Sequence, residues 1–157
     1  MNKYFLLLGF LFIGLASCKK SGSTPFNAAK QAITDSITIQ NYIKANNIDS
    51  VKKGPSGLYY KIITQGTGAY PTTASVVNVN YKGILTNGTV FAPLAAADDP
   101  LVDFIAGWQL GVPYINTGGS IMLFIPSALG YGDNSPGAPI PANAVLIFTV
   151  SLISFTN

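Results

Sequence analysis

The chain has 157 residues, a formal net charge of +3 and an apolar content of 48%, enough for one well-filled domain with appendages. It has no histidine and one cysteine, and neither arginine nor glutamate occurs in it. No Ser-His-Asp or Cys-His pair and no His/Cys zinc site can therefore be assembled, and scattered lysines without an arginine fork or basic stripe argue against nucleic acid as a partner.

Residues 1–17 read as a secretory signal peptide. Lys3 supplies the positive start and Tyr4 to Leu15 the apolar stretch, which is shorter than the roughly 20 residues of a membrane span. Leu15-Ala16-Ser17-Cys18 resembles the lipobox of bacterial lipoproteins. That resemblance implies cleavage before Cys18 and lipidation of its thiol. The expectation is a protein lipid-anchored in a bacterial cell envelope, outside the cytoplasm, since several acyl chains hold a protein far better than one. A cleaved signal with a free thiol and a retained anchor are the alternatives.

Residues 18–27 read as a small, polar tether. Residues 28–56 read as a helical arm and linker. Ala29, Ile33 and Ile37 follow helical spacing, and Tyr42 and Ile43 continue an apolar side. Thr24 before Pro25 is a candidate cap. Many arm residues are β-branched, so the helix is expected to need a packing partner. Docking on its own domain and use as a dimerisation or partner-binding arm both satisfy that need. The break comes at Gly54-Pro55.

Residues 57–157 read as the main domain. Leu58 to Thr64 is a strand candidate. Val77, Val79 and Tyr81 alternate with Asn78, Asn80 and Lys82, as in a half-buried strand. Asn87-Gly88 is a hairpin signal into Thr89-Val90-Phe91. Pro93 to Pro100 reads as a loop. Phe104 to about Val112 reads as a short helix that Pro113 bends or ends. Ile121 to Ile125 and Val145 to Ile153 are the most apolar strand candidates, and Gly130 to Pro141 is a Gly/Pro-rich loop between them. The sum is an α+β fold: a curved antiparallel sheet over one short helix.

Few chemistries remain open. A glycosidase would need two of the six aspartates, and none lies in an apolar pocket sequence. No Gly-rich phosphate loop ending in Lys-Ser/Thr occurs. Apolar shape, backbone groups and tyrosine hydroxyls are left. Amide rotation suits them because it moves no proton and makes no covalent intermediate.

Five segments carry a resemblance. In order they are Val77-Asn78-Val79-Asn80-Tyr81-Lys82-Gly83, Asn87-Gly88-Thr89-Val90-Phe91, Ala106-Gly107-Trp108, Ile125 to Gly132, and Ile140 to Val150. Together, over roughly Gly57 to Ile153, the chain resembles the FKBP-type peptidyl-prolyl isomerases. The resemblance implies an aromatic pocket for a prolyl ring, with neither metal nor cofactor. Trp108 matches its floor, and Tyr81, Phe91, Tyr131 and Phe148 match its walls. Phe104, Ile105 and Ile140 match the aliphatic lining, with phenylalanine at 104 where the family more often has valine. Ala92 and Leu146 are further candidate substrate contacts. The Ile105 N–H and the Tyr131 hydroxyl match the groups that bond carbonyls of the bound peptide. Proline-containing polypeptides are the implied substrates, macrolides the implied inhibitors, and folding assistance in the envelope the implied role. Non-catalytic binding of proline-containing segments in the same groove is the alternative.

Three departures accompany the match. Ala92 stands where the family usually has an aspartate that anchors a pocket tyrosine. The segment from Phe91 to Phe104 is short and has Asp98-Asp99-Pro100 where many members contribute an aromatic residue. Pro136 and Pro139 stiffen the loop after Tyr131.

Overall fold

The computed structural model describes residues 27–157. The expected signal peptide, most of the expected tether, Cys18 and Thr24-Pro25 lie outside the described residues.

The arm is a helix, α1 (Ala28–Ala45), and its cap is Asn27, whose side chain accepts the Lys30 N–H at 3.0 Å. An Asx side chain here satisfies one of the unpaired first-turn donors. The buried face differs from the expected one. Ile33 and Ile37 are 63% and 53% exposed, while Asp35 and Ile39 are buried. The inward line runs through Asp35, Ile39, Tyr42 and Ile43, and the buried carboxylate disguised it in the apolar pattern.

Six strands form one wholly antiparallel sheet: β1 (Lys52–Lys53), β2 (Tyr59–Thr64), β3 (Val76–Leu85), β4 (Val90–Pro100), β5 (Ser120–Ile125) and β6 (Leu146–Thr156). Their spatial order is β1-β2-β5-β6-β3-β4. The expected loop from Pro93 to Pro100 is instead most of β4. Its residues pair with β3, Ala95 opposite Tyr81 and Pro100 opposite Val76. Proline is tolerated because β4 is an edge strand, and the register shifts where Pro93 falls, between Gly83–Ala92 and Tyr81–Ala95.

The two faces of the sheet carry separate cores. On one face Val77, Val79, Leu123, Leu146, Phe148, Val150 and Leu152 pack with Trp108 and Val112 of the helical segment. On the other, Phe124, Val145 and Ile147 pack against Ile39 of α1, with Tyr42 and Ile43 alongside. Ile39 is fully buried, a burial that contributes about 1.5–3 kcal/mol. The helical arm is thus docked on its own domain.

The short helix α2 (Ala106–Gly111) is flanked by single 3-10 turns, Leu101–Asp103 and Val112–Tyr114. Pro113 is the second residue of the second turn, within its first positions, where its missing N–H leaves no bond unmade. α2 lies very close to β5. A Cβ on Gly107 would come within 2.5 Å of Ile125, and one on Gly111 within 2.4 Å of Leu123. These two glycines, one turn apart, set how deep Trp108 sits.

Candidate active site

Trp108 projects from α2 into the core and is 2% exposed. Phe104, four residues earlier and ahead of α2, stacks flat on it at 4.8 Å and 2°. Tyr81 of β3 and Phe148 of β6 meet the indole edge-on, at 5.1 Å and 87° and at 5.2 Å and 86°. Phe91 of β4 closes the set against Phe148, at 5.2 Å and 79°. Stacked and edge-to-face pairs of this kind are each worth about 0.5–1.5 kcal/mol beyond area burial. The cage is therefore held in shape before any ligand arrives.

Strand register explains the convergence. Gly83 pairs with both Ala92 and Phe148. A Cβ on Gly83 would lie 2.3 Å from the Phe91 ring and 3.0 Å from that of Phe148. Only glycine leaves room there for two rings from neighbouring strands.

The cage lines a cavity of about 450 Å³. Its wall contains Tyr81, Phe91, Ala92, Phe104, Ile105, Trp108, Tyr131, Ile140 and Phe148, which brings together nine of the ten pocket residues expected from the sequence. Leu146 is the exception. It lies on the same face of β6, two residues from Phe148, but is fully buried. It supports the turn before Tyr131, since a Cβ on Gly130 would come within 3.0 Å of its Cδ1. Leu146 thus packs in the core and does not line the cavity.

Backbone groups supply polarity. Ile105 caps α2 with extended backbone, and its carbonyl accepts from Trp108 and Gln109. Its own N–H forms no bond among the described residues. The Gln109 side chain donates to the carbonyls of Phe104 and Val102 at 2.8 and 3.0 Å, which fixes the approach to Ile105. Tyr131 is 39% exposed and stands at the mouth. The indole N–H of Trp108 is buried without an acceptor among the described residues, so the floor presents an unpaired donor.

The loop after Tyr131 closes on itself. The Ile140 N–H donates to the Gly137 carbonyl at 3.0 Å, the Gly137 N–H to the Ser135 hydroxyl at 3.1 Å, and that hydroxyl to the Ile140 carbonyl. Pro136, Gly137, Ala138 and Pro139 all line the cavity. Sequence reasoning noted the two prolines as stiffeners but not the loop backbone as wall. It also missed Asp103, among the described residues the only charged one of the lining. Its place just before Phe104, in the turn that leads into α2, was the available signal.

Residues 68–153 match the FKBP-type peptidyl-prolyl cis-trans isomerase family. The chain belongs to this family. It is 39% identical over 136 residues to FKBP-type peptidyl-prolyl cis-trans isomerase FkpA of Aeromonas hydrophila, covering 83% of this chain and 50% of that protein. Peptidyl-prolyl cis-trans isomerase Mip of Coxiella burnetii is 38% identical over 118 residues, covering 72% and 51%. The crystal structure of FkpA from Escherichia coli superposes with a TM-score of 0.67 at 32% identity, covering 82% of this chain and 62% of that one. An isomerase from Pseudomonas syringae gives 0.66 at 25% identity, covering 85% and 99%. The chain thus spans about half the length of the curated relatives it matches. One relative, from Legionella longbeachae, is named outer membrane protein MIP. Among the described residues of this FKBP-type chain, no helix is long and apolar enough to cross a membrane.

Proposed function

We propose that this protein is a peptidyl-prolyl cis-trans isomerase acting on proline-containing polypeptides in a bacterial envelope. The observation that carries the reading is the preformed aromatic cage around Trp108. The barrier to amide rotation is about 18–20 kcal/mol, because resonance makes the C–N bond partly double. Resonance also places negative charge on the oxygen, and water stabilises that planar, polar state. An X-Pro bond drawn into the cage loses that water, which favours the twisted amide. Lowering the barrier by about 4 kcal/mol speeds rotation about a thousandfold. The prolyl ring packs between Tyr81, Phe91 and Phe148 over the Trp108 floor. The Ile105 N–H and the Tyr131 hydroxyl hold the flanking carbonyls. No proton is transferred in this scheme, which suits a chain without histidine.

The test is isomerisation of an X-Pro tetrapeptide by the full chain. Saturable acceleration is the expected result. A second reading, binding without turnover, is favoured by Ala92, which stands where the family usually has the aspartate that anchors a pocket tyrosine. Peptide binding without acceleration would select it.

The envelope location rests on the lipobox-like motif ending at Cys18 and on the envelope setting in a relative's name. Lipid on Cys18 is expected to tether the domain. Cys18→Ser should therefore move the protein from the membrane fraction to the soluble one. A mutant that still sediments with membranes after a high-salt wash would show that something else holds it.

A further inference from the structure

Asp35 of α1 is 2% exposed, yet isomerisation as described above makes no use of it. Its Oδ2 accepts the Ser127 N–H at 2.8 Å and the Ser127 hydroxyl at 2.7 Å, and its Oδ1 accepts the Gln31 amide at 2.7 Å. Among the described residues no cation pairs with it, and the one ion pair there joins Lys61 to Asp49. Burying an unpaired charge is unfavourable, and hydrogen bonds only offset the cost. If α1 merely covered the sheet, an apolar residue here would serve as well or better. The carboxylate has a more specific correlate, namely where Ser127 sits.

Ser127 is itself 2% exposed. It opens the turn Ser127–Leu129 that follows β5. Its N–H and hydroxyl go to Asp35, and its carbonyl goes to the other side. That carbonyl accepts the N–H of Gly130 at 2.9 Å and of Gly132 at 2.8 Å. The residue between these two glycines is Tyr131. The Gly132 carbonyl then accepts the Asn143 N–H at 2.7 Å, closing the segment onto the turn that precedes β6. A tyrosine flanked by two glycines has little backbone stiffness of its own. Its position depends on the Ser127 peptide, and the orientation of that peptide depends on Asp35.

We propose that Asp35 is a positioning residue for the pocket, through which the arm helix holds the Ser127 turn and so places Tyr131 at the cavity mouth. The inference rests on the isomerase reading for its readout. It gives the arm a role in the site that docking alone would not.

A mutant cycle in the full chain tests it. Asp35→Asn is made in the wild-type and in the Tyr131→Ala background, and X-Pro tetrapeptide turnover is measured where thermal melts show each variant folded. Asp35→Asn should lower kcat/KM roughly three- to tenfold in the wild-type background, and less than about twofold once Tyr131 is gone. Equal losses in both backgrounds, or no loss in the first, would overturn the proposal and leave Asp35 a purely structural residue. Should Asp35→Asn fail to fold, Ser127→Ala carries the same cycle, since it removes the hydroxyl bond and keeps the N–H bond. If the wild-type chain shows no turnover, the isomerase reading fails by itself. The same cycle then reads peptide affinity from Trp108 fluorescence, with the same two outcomes deciding.

Discussion

The two faces of the sheet use the same kinds of side chain to different ends. The face toward α2 assembles five aromatic rings around a cavity of about 450 Å³. The face toward α1 assembles Ile39, Phe124, Val145 and Ile147 into a small cluster that is closed by the arm. Both are apolar and both are held by β5 and β6. The difference lies in what covers them. The arm is fastened by a buried, hydrogen-bonded carboxylate. The cage is left open at its mouth, between Tyr131 and the self-bonded Pro136 to Ile140 loop. An aromatic core becomes a site when the chain builds its walls and leaves off the lid.

Mutations on the two faces should therefore separate. Trp108→Ala removes the floor of the cage and is expected to abolish proline-peptide turnover. It should also cost about 3–5 kcal/mol of stability, read by denaturant unfolding. Retained turnover in a folded Trp108→Ala variant would place the chemistry elsewhere. Ile39→Ala on the other face should cost about 2–5 kcal/mol and leave kcat/KM unchanged under conditions where the variant is folded. A large activity loss in folded Ile39→Ala would mean that the faces are coupled through the whole sheet and not through the Ser127 turn alone.

A smaller effect is expected at Ala92, which lines the cavity beside Tyr81. Ala92→Asp offers the tyrosine a carboxylate, but that group must itself be desolvated. A net gain on the order of 1 kcal/mol should tighten proline-peptide or macrolide binding several-fold, as measured by titration calorimetry. Equal or weaker binding would mean that the groove is shaped around alanine and would favour binding without turnover. The smallest expected effect is none at all. With no histidine in the chain, turnover should be flat between about pH 6 and 8. A bell-shaped profile in that window would contradict a mechanism free of proton transfer.

Most of the domain was legible because its signals are local. The alternation from Val77 to Lys82 gave β3, Asn87-Gly88 gave the β3–β4 hairpin, and the order of the five motifs gave the cage. The misreadings have a common cause, in that pairing partners and covering segments are not written locally. Pro93 and the alanine run look like a loop until β3 pairs with them along an edge. Leu146 looks like a wall residue until the Gly130 turn covers it. The arm's inward face was masked because its central contact, Asp35, is charged, and only the Ser127 turn explains why a charge belongs there. Asp103 carries only a positional signal, its place just before Phe104 in the turn into α2, and no residue periodicity marks it.

Trp108 is the only tryptophan in the chain, so its emission reports on the floor of the cage alone. Titrating the full chain with an X-Pro tetrapeptide tests the central claim, that proline segments bind in the cage around Trp108. A saturable change in tryptophan fluorescence, lost in Phe91→Ala and Phe148→Ala variants that remain folded, is the predicted result. Unchanged emission at peptide concentrations where isomerisation or binding is seen by another method would contradict it.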